Sequence, residues 1–166
     1  MDTETLNTTT NPVDNASRVR QNTAEEVNAK IDREMADRVR QYAENSNSTI
    51  GDRIAELERE WDTERVLEAN ASVLAFTGVL LGAFVNQNWL WLPAIVLPFL
   101  FQHAVQGWCP PLFVIRRLGV RTRDEIDCEI FALKALRGDF DEIPERTEGL
   151  ASTRANEILR AIGLSG

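Results

Sequence analysis

"ANASVLAFTGVLLGAFV" (residues 69–85), "NQN" (86–88) and "WLWLPAIVLPFLFQHAVQ" (89–106) decide how this chain folds. From Ala69 to Ile115 no Asp, Glu, Lys or Arg occurs, in a chain that is 27% charged overall. A membrane helix needs about 20 apolar residues, so the block has room for two spans and a turn. Asn and Gln between two apolar runs read as the tip of a hairpin. Each run is about 18 residues, or roughly 27 Å of helix. That is slightly short of a hydrocarbon core of about 30 Å, so flanking residues or mild thinning make up the difference. Trp89 and Trp91 open the second run and Trp108 closes it, which sets indoles at both interfaces. A soluble hairpin would need flanking helices able to cover two helices apolar all round, and the flanks have only narrow apolar stripes.

Arg116, Arg117, Arg121 and Arg123 follow the second run, and no acid lies between Gly107 and Arg123. The tip carries no charge. Positive residues stay inside, so an even number of spans places both termini in the cytoplasm. The sequons starting at Asn7, Asn15, Asn47 and Asn70 then face the wrong side for glycosylation. The N-terminus is polar and acidic, unlike a cleavable signal. Net charge is −8, which argues against duplex nucleic acid as a partner. Two cysteines, Cys109 and Cys128, are too few for a disulfide framework.

The expected fold class is all-α: a two-helix transmembrane hairpin with cytoplasmic amphipathic helices on both sides. Residues 1–16 read as a disordered tail and 17–68 as a cytoplasmic helical region. Residues 69–115 form the hairpin, with spans at about 69–86 and 89–106, and 116–166 hold a basic segment and C-terminal helices. Val27, Ile31, Met35, Val39 and Tyr42 make one stripe on a charged helix from Ser17 to Glu44. "ENSNST" (44–49) breaks it, and Ser48 or Thr49 can cap a second helix whose stripe is Ile50, Ile54, Leu57 and Trp61. That seam spans under two heptads, too short for a coiled coil. Packing on a neighbouring helix is preferred to a self-association seam. "TRDE" (122–125) has capping-box spacing and opens a helix with Ile126, Ile130, Leu133 and Leu136 on one side, stopped by Gly138. A loop with Pro144 and a short helix carrying Ala155, Ile158, Leu159 and Ile162 complete the chain.

Gly78 and Gly82, extended by Ala71 and Ala75, are spaced for close helix packing, either within the chain or between copies. Pro98 lies inside the second span and predicts a structural kink. Gln102, Gln106 and Cys109 share a helical face near the cytoplasmic end, with His103 beside them. His103 and Cys109 supply at most two of zinc's four ligands, so no metal or other cofactor is expected. Cys109 is the candidate thiol. The arginines nearby favour a thiolate, while the helix C-terminus and apolar neighbours predict a sluggish, packed residue. Pro110–Pro111 is read as a helix stop, Leu112–Ile115 as a segment at the membrane surface, and Arg116–Arg117 as meeting anionic headgroups. No GxSxG, phosphate loop or HExxH is present, so no catalytic set is assigned.

The stretch from about Glu68 to Thr122 resembles the YgaP-like transmembrane domain family. Gly107, Cys109, Pro110, Leu118 and Gly119, within "FQHAVQGWCPP" and "IRRLGVRT", carry the match. The resemblance implies a small two-span domain of the bacterial inner membrane with unassigned biochemistry. Some relatives attach it to a rhodanese, which is absent here, and the helical flanks depart from that arrangement. The function expected is a non-enzymatic membrane protein that self-associates or scaffolds a protein partner through its cytoplasmic helices. A thiol or persulfide relay through Cys109 is the alternative. A small oligomeric transporter or channel is weaker, because the spans hold no acid or Lys.

Overall fold

The computed structural model describes residues 15–141. Among them 79% is helical and no strand occurs. Seven α-helices follow in order: α1 Asn15–Gln21, α2 Glu25–Tyr42, α3 Asn47–Leu57, α4 Thr63–Phe84, α5 Trp91–Gln106, α6 Pro110–Arg117 and α7 Arg123–Arg137. A 3-10 turn, Gln87–Leu90, joins α4 to α5. By length and composition, Thr63–Phe84 and Gln87–Gln106 are each long and apolar enough to cross a membrane. The N-terminal tail up to residue 14, the Pro144 loop and the helix expected around Ala155–Ile162 lie outside the described residues.

The chain divides into two compact units. Among the described residues, one takes 15–35 and 60–127, the other 36–59 and 128–141. In the first, Val19, Leu67, Cys109 and Leu112 form a buried apolar cluster with Ile115 packed against it. In the second, α3 buries Ile50, Ile54 and Leu57, and α7 buries Ile130 and Leu133. These are stripe positions of an amphipathic helix. Glu129 is also fully buried there. Its carboxylate accepts from Arg38 at 3.0 Å and from Arg53 at 3.1 Å, so the charge is paired inside the unit.

Several boundaries differ from the sequence reading. The single helix expected over 17–44 is two, α1 and α2, parted at 22–24. Short polar side chains cause the break. Asn22 Nδ2 donates to the Arg18 carbonyl at 2.9 Å, and Thr23 Oγ1 donates to the Val19 carbonyl at 2.7 Å. Such bonds close the last turn of a helix rather than continuing it. The cap of α3 is Ser46, ahead of the expected Ser48 or Thr49. Trp61 lies beyond the end of α3 and leaves its stripe. It is exposed, with the Arg65 guanidinium 4.5 Å over its ring. α4 starts at Thr63, earlier than the charge-free block, because Asp62 caps it by accepting from Arg65 N at 2.8 Å. The capping box at α7 is present: Glu125 Oε2 accepts from Thr122 N at 2.8 Å, and Thr122 Oγ1 accepts from Glu125 N at 3.3 Å.

Candidate functional site

The junction between α5 and α6 gathers the chemically distinctive groups. α5 ends at Gly107, whose φ of 69° is left-handed. A side chain there would also strike Arg18, so glycine suits the position twice over. The chain then extends through Cys109 (φ −154°, ψ 159°) and coils again at once, with Pro110 and Pro111 in the first turn of α6. The expected stop is therefore a start. Proline's fixed φ and missing N–H suit the first helical turn as well as they suit a break. Cys109 is the N-cap residue of α6, and the thiol sits at the positive end of that helix dipole. The two prolines withhold the N–H donors that a helix start would otherwise aim at it. Leu112 N is already bonded to the Cys109 carbonyl at 3.1 Å.

Cys109 is only 2% exposed. His103, on the last turn of α5, is equally buried and interacts with its thiol. His103 Nε2 lies 3.2 Å from Oε2 of Glu64, in the first turn of α4. His103 Nδ1 has no hydrogen-bond partner among the described residues. Glu64, His103 and Cys109 thus make a carboxylate–imidazole–thiol series. His103 and Cys109 were candidates from sequence. Glu64 was missed, because it stands 39 residues before its partner and outside the apolar block. Beside the thiol opens a cavity of about 420 Å³ between α4, α5 and α6, walled by Leu67, Leu74, Val96, Phe99 and Ile115 among others.

The other sequence candidates are dispersed. Gly78 and Gly82 face the same chain: a Cβ on Gly78 would meet Pro93, and one on Gly82 would come within 2.6 Å of Leu90. Ala71 lines the cavity, and Ala75 is half-buried on α4. Gln102 is half-buried and Gln106 exposed. Cys109 does not share a helical face with them, since it lies beyond the end of α5. Trp89, Trp91 and Trp108 are exposed.

The arginines are not a free basic patch. Arg116 is buried, its two terminal nitrogens each 2.7 Å from a Glu125 oxygen, with Asn28 at 2.9 Å and Thr23 at 3.2 Å completing its shell. The expectation that it meets headgroups is corrected: five donors in a planar fork are better satisfied by a carboxylate and fixed oxygens. Arg121 is buried against Glu60 at 2.9 Å. Arg123 pairs with Asp127 at 2.8 Å, and Arg117 stacks 4.0 Å over Phe113. Arg20 joins the Glu125 cluster and bonds Asp32 at 2.9 Å. Burial pushes the Glu125 carboxyl up, but hydrogen bonds from Arg116 and Thr122 and the charges of Arg116 and Arg20 hold it below its ordinary range. The Arg20 hydrogen bond likewise lowers Asp32.

No family model, curated protein or solved structure matches the chain.

Proposed function

We propose that the chain is a two-span protein of the bacterial inner membrane, with α4 and α5 crossing as a hairpin and both termini in the cytoplasm. The ion-paired helices then stay in water and act as a non-enzymatic scaffold for a protein partner or for further copies of the chain. The likeness of residues 68–122 to the YgaP-like transmembrane domain belongs to the same proposal. One observation carries it. α4 and α5 present Phe76, Phe84, Trp91 and Phe101 outward, Phe84 being 83% exposed and Trp91 71%. Only 17% and 11% of the two apolar windows are buried inside the protein. Exposed apolar area of that extent marks a membrane or partner surface. Because Gly78 and Gly82 are engaged within the chain, association between copies would use the outward aromatic faces instead.

The test is topology. A reporter active only in the periplasm, fused at Gly166, should stay silent, and the same reporter inserted at Gln87 should be active. Activity at Gly166 would overturn the even number of spans. A thiol relay is the second reading, favoured by the Glu64–His103–Cys109 series. It requires Cys109 to alkylate faster than the exposed Cys128 with a small water-soluble reagent in intact membranes. The scaffold reading expects the reverse order.

A further inference from the structure

We propose that Cys109 is an S-acylation site and that the cavity between α4, α5 and α6 holds the hydrocarbon chain of the resulting thioester. Cys109 is nearly closed to water, yet it lines the cavity. A reagent therefore reaches it through an apolar passage. Besides the thiol, Asn70 is the polar side chain in the wall, and its Nδ2 is turned back to the Val66 carbonyl at 2.8 Å. A phospholipid headgroup or a polar small molecule would need convergent donors and acceptors, as ligand sites ordinarily supply. The walls offer hydrocarbon and one nucleophile, which suits an unbranched acyl chain tethered by its end. The size, about 420 Å³, lies in the lower range of ligand cavities. On the proposed topology the cavity lies in the cytoplasmic half of α4 and α5, at the leaflet where such chains are abundant.

The neighbouring groups supply the chemistry. Glu64 orients the His103 ring through Nε2, and the buried ring lies against the Cys109 thiol, where it can carry the thiol proton. Sulfur attacks the carbonyl carbon of a long-chain acyl thioester. A new carbon–sulfur bond forms as the donor's carbon–sulfur bond breaks, and the donor thiolate leaves and takes up the proton held by His103. Nothing is oxidised or reduced. Cys109 is nearly closed to water, so the thioester is retained rather than hydrolysed quickly.

The full chain, reconstituted in phosphatidylglycerol–phosphatidylcholine vesicles, is offered palmitoyl-coenzyme A and read by intact mass and peptide mapping. One hydroxylamine-labile palmitoyl group should appear on Cys109, about tenfold or more faster than on Cys128, since burial of each methylene favours the cavity. With acetyl-coenzyme A that preference should vanish, and a water-soluble maleimide should label Cys128 first. Leu74→Trp and Val96→Trp, which fill the cavity, should slow palmitoylation by about the same factor while helix content is retained. His103→Gln should slow it at neutral pH and recover as pH rises. The proposal is overturned if Cys128 is palmitoylated as fast as Cys109, if palmitoyl and acetyl donors act alike on Cys109, or if a folded filled-cavity variant reacts at the parent rate. Any of these leaves the scaffold reading intact, because that reading rests on the outward faces of α4 and α5.

Discussion

α4 and α5 turn Phe76, Phe84, Trp91 and Phe101 outward, while α6 and α7 turn Arg116 and Glu125 inward. These outward aromatics, Arg116 and Glu125 belong to the same compact unit, and each set inverts the pattern of a water-soluble domain. Outward apolar side chains are stable only against something that is not water. Inward charges are stable only when fully paired, since an unpaired buried ion costs several kcal/mol. The arginines nearest the apolar helices are largely neutralised by acids inside the fold. The positive-inside tendency can still hold, because it counts Lys and Arg and gives acids little weight.

The sharpest way to break this contrast is Glu125→Ala. It removes both oxygens from Arg116, the acceptor for Arg20 and the cap of α7. Leaving a buried guanidinium unpaired should cost about 3–5 kcal/mol. Thermal unfolding in detergent micelles, followed by circular dichroism, would show it. The pH dependence has a definite sign. Glu125 and Asp32 are both held below their ordinary values of 4.5 and 3.8. Their contribution is therefore complete above those values and is lost as pH falls through and below them. The unfolding temperature should be flat near neutrality and drop on the acid side, and Glu125→Gln should flatten that drop. An acid limb unchanged in Glu125→Gln would mean the cluster does not set stability.

The apolar region should answer to shape rather than charge. At Gly78 a new Cβ would press on the rigid ring of Pro93 and come within 3.2 Å of the Trp89 carbonyl oxygen. At Gly82 it would meet the end of the Leu90 side chain, which can rotate away. Gly78→Ala should cost about 1–3 kcal/mol, as overpacking does, and Gly82→Ala less. Neither should respond to pH. A reversed ranking in the same unfolding assay would mean the α4–α5 contact differs from the one described.

What could be read from sequence follows from how local each signal is. The charge-free block, the Thr122–Glu125 capping box and the glycine after α7 are set by neighbours within a few residues, and all three were legible. Arg116 was visible as a charge, but Asn28 is 88 residues away in the chain and Thr23 is 93. No periodicity links such positions. His103 stood out in an apolar run, whereas Glu64 looked like one more acid on a solvated helix. Pro110–Pro111 failed for a different reason: proline ends one helix and begins the next with the same geometry. The side-chain donors of Asn22 and Thr23 that close α1 after Gln21 were local, yet the apolar stripe ran on past them and concealed the break.

The weakest expected effect sharpens the comparison from the other side, because it comes from an ion pair that water reaches. Lys30 and Glu34 face each other one turn apart on α2 at 3.8 Å, with side chains 65% and 52% exposed. Water screens both charges, and ordering two long side chains offsets much of the attraction. The order along the helix, Lys before Glu, is also the less favourable one for the helix dipole. A double-mutant cycle of Lys30→Gln and Glu34→Gln should give a coupling of about 0.5 kcal/mol or less, shrinking further with added salt. Coupling as large as that of the buried pair would show that removal from water does not separate the two. A small, salt-sensitive value beside a large loss in Glu125→Ala would fit a pair whose strength comes from burial and two-point geometry.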